Sequence, residues 1–153
     1  RLTQHNVSGA GVHNELHARP VHIRRQMVTA EAGQIALPRA PDGHYYLVAD
    51  VNGASVEFVV DTGATDIVLS EADARRAGFD PATLDYFGRA QTANGEVRIA
   101  PVVIERFAVG PLEDARVRAV VNEGALDASL LGMSYLQRFE SVEISGGQLV
   151  LTR

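Results

Sequence analysis

The sequence predicts an all-β domain, and two observations carry that prediction. From Gln34 onward, short runs rich in Val, Ile, Leu and Tyr are separated by turn residues, which is typical of strands joined by tight turns. Signals for helices are confined to two short stretches. The chain has 153 residues, of which 46% are hydrophobic, and this is enough for one domain with its own core.

Three hairpins are predicted, each from two apolar runs that flank a glycine-containing turn. Asn-Gly is the strongest two-residue hairpin signal, because both turn residues take positive φ. The runs and their turns are 45–51 and 55–60 around Asn52-Gly53, 87–92 and 96–103 around Ala93-Asn94-Gly95, and 142–144 and 149–151 around Gly146-Gly147. The first hairpin ends directly before Asp61.

Two short helices are predicted. Ser70 with Asp73 three residues later resembles a capping box, and Gly78 ends that segment after about two turns. The second helix is predicted over 134–139, directly after the Leu-Leu-Gly of 130–132.

Residues 1–33 are predicted to be an extension or linker that precedes a domain of residues 34–153. The extension is polar, holds four of the five histidines, and shows little periodicity apart from a strand expected around Val21, Ile23 and Met27. The sequence does not indicate whether it tethers the domain, extends a sheet or covers a cleft.

Composition excludes several classes of function. The absence of Cys excludes disulfides, thiolate zinc sites and cysteine nucleophiles. A formal net charge of −5, without a basic cluster interleaved with aromatics, argues against a nucleic-acid partner. No apolar run approaches the roughly 18 to 20 residues that span a bilayer. Since the chain begins at Arg1, a signal or membrane anchor upstream of it stays open.

Histidines of the extension offer a second, weaker site. His13 and His17 are four residues apart, as two ligands on one helical face would be, and His22 follows. No Cys or paired acidic motif accompanies them, so surface histidines are the preferred interpretation.

The strongest candidate for catalysis is Asp61-Thr62-Gly63, at the end of an apolar strand. Hydrolysis of an amide without a covalent intermediate needs one carboxylate as general base on water and one carboxylic acid on the carbonyl. Two carboxyls about 3 Å apart fill both roles by sharing a proton. Gly63 allows close approach of the backbone, and the Thr62 hydroxyl is expected to hydrogen-bond across the turn.

The chain contains a single such triplet, so Asp61 supplies half of a pair. We therefore expect two copies to meet across a two-fold axis and form a homodimer. A second acid from the same chain is the weaker alternative, because Glu113 and Asp114 lie in a predicted loop while Glu71 and Asp73 cap a helix. Glu123 and Asp127 are further candidates for such an acid.

The segment 59–64, Val-Val-Asp-Thr-Gly-Ala, followed after about 65 residues by Leu130-Leu131-Gly132, resembles the retropepsin-like aspartic peptidases. The resemblance covers roughly residues 43–153. It implies a closed β-barrel, a two-fold homodimer, an aspartic endopeptidase activity, and no metal or organic cofactor. It also implies that the Asp-Thr-Gly loop crosses 130–132 and that a flap hairpin lies between them, formed by Thr92, Ala93, Asn94, Gly95 and Glu96.

The resemblance further implies a substrate and a location. An extended peptide would bind as an added strand, with its main chain held by Gly63, Ala64 and the flap. The segment 130–136, together with 92–95, is most similar to the bacterial single-domain members, which are often tethered to the inner membrane. This implies a periplasmic or membrane-tethered domain, with any anchor upstream of this chain.

Two positions depart from the retroviral members of that family. These members carry an Asp two residues after the loop glycine and an Arg after the later glycine, whereas this chain has Thr65 and Met133. Since both charges are replaced together, neither is left unpaired, but the support of the dimer must differ. The alternatives to an active enzyme are a non-catalytic dimerisation or peptide-binding module, and a latent enzyme covered by residues 1–33.

Overall fold

The computed structural model describes residues 26–29, 33–92 and 95–153. Within them the chain is all-β with two short helices, as predicted, and no helix in this part of the chain is long and apolar enough to cross a membrane. The elements are β1 (Met27–Thr29), β2 (Gln34–Pro38), β3 (Tyr46–Val51), β4 (Ala54–Val60), β5 (Val68–Leu69), α1 (Glu71–Arg76), β6 (Gly88–Thr92), β7 (Gly95–Val109), β8 (Leu112–Asn122), β9 (Ser129–Leu131), α2 (Met133–Leu136), β10 (Ser141–Ser145) and β11 (Gln148–Thr152).

Six strands close into a barrel. The larger sheet has the order β3-β4-β9-β5-β8-β7-β6, and β3 also pairs with β7 through Asp50↔Ala108 and Val51↔Phe107. This second pairing joins the ends of the sheet and leaves β6 outside the ring. Closure confirms the predicted barrel and satisfies the backbone groups that an open sheet would leave at its edges.

The predicted hairpins are present, and the positive φ of the turn residues accounts for two of them. Asn52 and Gly53 have φ of 52° and 91°, as a type I′ turn between β3 and β4 requires. The hairpin of β10 and β11 turns through Gly146 and Gly147, which also have positive φ. The strands β6 and β7 flank the third turn, whose residues 93 and 94 lie outside the described residues.

The longest hairpin was not predicted. Strand β7 continues to Val109, six residues beyond the predicted Val103, and pairs along its length with β8 after a turn at Gly110 and Pro111. Charged residues of β7 and β8 point outward and interrupt the alternation of apolar residues in the sequence. The positions of these strands that point inward are nevertheless buried. The Gly-Pro turn, with Gly110 at φ 57°, was the available signal.

Helix α1 lies where it was predicted, whereas α2 is shifted. The Ser70 hydroxyl caps α1 by accepting a hydrogen bond from the Asp73 amide at 3.1 Å. Helix α2 begins at Met133 and ends at Leu136, instead of spanning 134–139. The Gln137 amide still bonds to the Met133 carbonyl four residues back, but the amides of Arg138 and Phe139 bond to carbonyls three residues back, at 3.0 and 3.1 Å, so the segment ends in tight turns.

An aromatic column links α2 to the barrel core. The ring centroids of Phe58 and Phe107 are 5.7 Å apart, those of Phe107 and Tyr135 are 4.6 Å apart, and those of Tyr135 and Phe139 are 5.6 Å apart. Tilted and edge-to-face pairs at these distances stabilise a core beyond their buried area. The column therefore fixes α2, and with it the preceding residue Gly132, against β4.

The smaller sheet has the order β1-β2-β11-β10 and packs its apolar face on the core. Gln26 ties the start of this region to the barrel: its side chain accepts a hydrogen bond from Val48 N at 2.7 Å and donates one to Val48 O at 3.1 Å. The strand expected near Met27 is β1, while Val21 and Ile23 lie outside the described residues. The domain boundary at residue 34 stays a prediction.

A carboxylate joins the end of the chain to the barrel. Asp114 accepts hydrogen bonds from Arg153 at 2.7 and 3.0 Å and from the Tyr135 hydroxyl at 3.1 Å, and Arg138 lies 3.5 Å away. Burial by itself would raise the Asp114 pKa, but the bonds and charge of Arg153, with help from Tyr135 and Arg138, hold it below its usual value.

Replacing Asp114 with Asn is expected to destabilise the fold at neutral pH by about 1–3 kcal/mol, the range for hydrogen bonds to charged groups. Because the folded pKa lies below the unfolded value of about 3.9, the stabilisation is complete above about pH 4 and is lost as pH falls through the folded pKa. Urea unfolding between pH 7 and pH 2.5 measures this difference. Asp85→Asn, at an exposed carboxyl, is the control. Equal pH dependence of the two variants would contradict this role of Asp114.

Candidate active site

Asp61 is positioned by two parallel strands that end side by side. Strand β4 pairs in parallel with β9, with Phe58 opposite Ser129 and Val60 opposite Leu131. The ladder continues one step further, because the Asp61 amide donates to the Leu131 carbonyl at 3.0 Å. Asp61 is thus fixed at the point where the barrel strand opens into a loop.

The turn after Asp61 is held by its own carboxyl. Asp61 Oδ1 accepts a hydrogen bond from Gly63 N at 2.9 Å, and the Asp61 carbonyl accepts one from Ala64 N at 3.2 Å. Asp61 is half-buried, whereas Thr62 and Gly63 are exposed. No hydrogen bond of the Thr62 hydroxyl occurs among the described residues, so its bracing of the loop stays a prediction.

The loop rests directly on Gly132. A Cβ atom at this position would lie 2.3 Å from the Asp66 carbonyl oxygen and 2.7 Å from that of Ala64, distances that no side chain tolerates. The backbone of Gly132 therefore contacts the segment that directly follows the Asp-Thr-Gly triplet. Only glycine allows the two segments to approach this closely.

Backbone hydrogen bonds support the loop at the positions that depart from the retroviral pattern. The amide of Met133 donates to the Ala64 carbonyl at 2.9 Å, and the amide of Ser134 donates to the Thr65 carbonyl at 2.7 Å. These are the first amides of α2, which have no partner within the helix. The chain thus joins Thr65 and the start of α2 without a charged pair.

A buried polar network fixes β9 from the other side. The Ser129 hydroxyl donates to Asp73 Oδ2 at 2.6 Å and accepts from Ser70 N at 3.1 Å, while Asp73 pairs with Arg76 at 3.2 Å. Ser70, Asp73 and Ser129 are each at most 3% exposed. Since every member has partners, the network stabilises the placement of β9 against α1.

A cleft of about 710 Å³ lies between the Asp61 loop and the β6–β7 hairpin. Asp61 and residues 63–66 form one wall and residues 89–92 form the other. The floor consists of branched apolar side chains, namely Val68, Val97, Ile99, Val120, Leu126 and Leu130. The geometry suits an extended chain with apolar side chains, lying against Asp61.

The end of this hairpin holds the residues that were predicted to form a flap. Thr92 Oγ1 donates to the Gly95 carbonyl at 2.7 Å, and Arg89 pairs with Glu96 across the two strands at 2.5 Å. Gly95 has φ 111°, a conformation that favours glycine. Ala93 and Asn94 lie outside the described residues, so the tip of the flap stays a prediction.

Sequence reasoning missed several lining residues. Val120 and Asn122 reach the cleft from β8, a strand that was not recognised. Leu126 lies in the loop before β9 and contacts both the cleft and a neighbouring depression of about 530 Å³. The sequence signal that could have pointed to Leu126 was its position four residues before Leu130.

The alternative acids of the same chain are mostly engaged elsewhere. Glu113 pairs with Arg106 at 3.1 Å, Asp114 binds Arg153, and Asp73 is buried beside Ser129. Glu71 lies 3.5 Å from the Gly124 amide and Glu123 lies 3.8 Å from Arg98.

Asp127 and Asp42 line the neighbouring depression, which also contains Asp61. The Tyr46 hydroxyl and the His44 amide donate to Asp42 and hold its pKa below the usual value, which keeps that carboxyl ionised. Burial, followed by the hydrogen bond to Asp42, raises the pKa of Tyr46 to about 12.

Comparisons with known proteins agree with this geometry. The family model described as "gag-polyprotein putative aspartyl protease" matches residues 47–138. An uncharacterized protein of Rickettsia prowazekii is 42% identical over 123 residues, which are 80% of this chain and 53% of that protein. The chain thus spans about half the length of this curated relative.

Two solved structures share the fold. A retropepsin-like aspartic protease from Rickettsia conorii is 43% identical, has a TM-score of 0.72, and is matched over 78% of this chain and 98% of its own. EIAV protease, solved with the inhibitor HBY-793, has a TM-score of 0.53 at 17% identity over 64% of this chain and 89% of its own, and shows the fold alone. The chain belongs to the retropepsin-like aspartic protease family.

Replacing Gly132 with Ala is expected to destabilise the domain by about 3 kcal/mol or more, because the new methyl group overlaps two loop carbonyls. Gly146→Ala is the control. Gly146 has open space around it but φ of 57°, so that variant carries only the cost of about 1 kcal/mol for a left-handed conformation. Urea unfolding compares the two. Equal losses of stability would show that the loop does not rest on Gly132.

Proposed function

We propose that the protein is an aspartic endopeptidase that acts as a homodimer, with Asp61 of each subunit forming the catalytic pair. The observation that carries the proposal is the placement of Asp61. It lies half-buried at the edge of a cleft that suits an extended chain, on a loop fixed by the Leu131 carbonyl and by contact with Gly132. One chain supplies one such loop, so the second carboxyl comes from a second copy.

The chemistry follows from two carboxyls that share one proton. The ionised carboxyl takes a proton from a water molecule, and the resulting hydroxide attacks the scissile carbonyl carbon. The protonated carboxyl donates to the carbonyl oxygen as that oxygen gains charge. The tetrahedral intermediate collapses when the first carboxyl gives the proton that it took from water to the amide nitrogen and the C–N bond breaks. The former carbonyl oxygen returns its proton to the second carboxyl, which leaves a carboxylic acid, an amine and a carboxyl pair that again shares one proton.

The other residues predicted for the site, which line or border the cleft, each have a role in this proposal. The backbone of Gly63 and Ala64 faces the substrate main chain, and the flap residues Thr92 to Glu96 close over it as a neighbouring strand. Thr62 braces the loop, with its exposed hydroxyl available to the loop of the second copy. The apolar floor receives alternate side chains of the peptide.

Location is part of the proposal. The similarity of residues 130–136 to the bacterial single-domain members supports a domain that works in the periplasm or is tethered to the inner membrane. Any anchor would lie in a part of the protein outside this chain. Residues 1–33 could modulate access to the cleft. Comparing the rate of peptide cleavage by the 153-residue chain with that of a chain that begins at residue 26 tests this.

The purified protein is expected to cleave an unbiased peptide library, and Asp61→Asn is expected to reduce the rate by at least about 10³-fold at unchanged thermal stability. Rates measured from pH 3 to pH 9 should pass through a maximum, because the pair is active only with one proton between its two carboxyls. The nearby variant Asp127→Asn is the matched control and should retain activity. Cleavage that survives Asp61→Asn and rises steadily into alkaline pH would identify another nucleophile.

A further inference from the structure

The cleft continues into a second cavity, the depression of about 530 Å³ that Asp42 lines, which we call the Asp42 depression. Asp61, Leu126 and Leu130 line both cavities, so they form the mouth between the two. A chain that lies in the cleft against Asp61 passes this mouth. One of its side chains can therefore enter the Asp42 depression.

The Asp42 depression is apolar at its mouth and polar further in. Leu126 and Leu130 line the mouth, whereas Asp42 and Tyr46 line only the part that the cleft does not share. Tyr46 pairs with Val59, two residues before Asp61, which places this polar part about 7 Å along the strand from Asp61. A long side chain with an apolar stem and a polar head matches this arrangement.

Asp42 presents a fixed carboxylate in the polar part. It lies in a turn closed by hydrogen bonds from Gly43 N to the Ala40 carbonyl at 2.9 Å and from Ala40 N to the His44 carbonyl at 2.8 Å. The Tyr46 hydroxyl donates to Asp42 Oδ2, and the His44 amide donates to Asp42 Oδ1 at 2.9 Å. These bonds, that of Tyr46 first, hold the Asp42 pKa below its usual value. The carboxylate is therefore charged and oriented before a ligand binds.

The Asp42 carboxylate keeps room for a cation. A carboxylate offers about four lone-pair sites, and two of those on Asp42 accept the bonds from Tyr46 and His44. Among the described residues no arginine lines the Asp42 depression. The His44 ring is a competitor when it is protonated, because Nδ1 lies 3.5 Å from Asp42 Oδ1, but its side chain is 61% exposed and free to turn into solvent.

We infer that Asp42 binds a lysine or arginine side chain of the substrate, so that the peptidase selects peptides with a basic residue at one position near the scissile bond. The inference rests on the proposed function and adds a substrate class to it. The stem of the basic side chain lies along Leu126 and Leu130, and its cationic head reaches Asp42. The floor of the main cleft is apolar, so this position differs from its neighbours in the side chain that it accepts.

The test uses pairs of short peptides that differ at one position. A single lysine is moved through an otherwise apolar peptide, and each product is compared with the peptide that has norleucine there, which keeps the hydrocarbon stem and lacks the amine. At one position kcat/KM is expected to be about five- to tenfold higher with lysine, as for a cation that pairs with one partly covered carboxylate. Fluorescence anisotropy with the Asp61→Asn chain should give a similar ratio of Kd values.

Two variants of equal charge change locate the preference. Asp42→Asn keeps an oxygen that accepts from Tyr46 but removes the charge, and is expected to reduce the ratio of lysine to norleucine kcat/KM to about one. Asp127→Asn is the matched control. Asp127 also lines the Asp42 depression, but it is exposed and accepts no hydrogen bond from the described residues, so pairing with it costs more side-chain entropy. Its variant should keep most of the preference.

A third variant removes the competitor. His44→Gln is expected to keep the preference for lysine or to increase it, because no imidazolium then competes for Asp42. Loss of the preference in this variant would mean that His44, and not Asp42, selects the side chain, and would overturn the inference.

The remaining outcomes separate this inference from the proposed function. Cleavage of norleucine peptides with no preference for lysine at any position would overturn the inference and leave the catalytic pair intact. Equal loss of preference in Asp42→Asn and Asp127→Asn would assign selection to the summed charge, and would overturn the role of a fixed Asp42. If the protein cleaves no peptide, the proposed function fails, and the anisotropy measurement still decides the inference: equal Kd values, or no binding of either peptide, would overturn it.

Discussion

The contact between the Asp61 loop and Gly132 is the constraint on which the rest of the site depends. Two backbone segments meet there with no room for a single methyl group. The strands β4 and β9 bring them together in parallel, and the first amides of α2 bond to the carbonyls of the loop. Asp61 is thus positioned by main-chain atoms, which hold a residue more rigidly than flexible side chains do.

This main-chain support also explains how the family fold tolerates the residues found here. An ion pair would join the loop to α2 through two side chains that must be desolvated, with little net gain. The chain uses Thr65 and Met133 and makes the same connection through the amides of Met133 and Ser134. The buried network of Ser129, Asp73 and Ser70 then fixes β9 independently.

Much of this arrangement could be predicted from local sequence, and the limits are physical. Asn52-Gly53 and Gly146-Gly147 specify their hairpins because the turns need positive φ, and Ser70 with Gly78 specifies α1. The β7–β8 hairpin was missed although Gly110 and Pro111 mark its turn, because outward-facing charges interrupt its apolar runs. The roles of Asn122 and Leu126 could not be predicted in the same way, since they come from the meeting of distant segments at the cleft. The end of α2 depends on the packing of Tyr135 and Phe139, which local propensity does not encode.

The most direct test of the account mixes wild-type chains with Asp61→Asn chains under conditions where subunits exchange. Asn is nearly isosteric with Asp, so mixed dimers form, and an equal mixture contains about one quarter wild-type homodimers. The account predicts that activity falls to about a quarter of that of the same total amount of wild-type chains, following the square of the wild-type fraction. A value of about one half, in proportion to the wild-type chains, would show that each chain holds a complete site and would contradict the account.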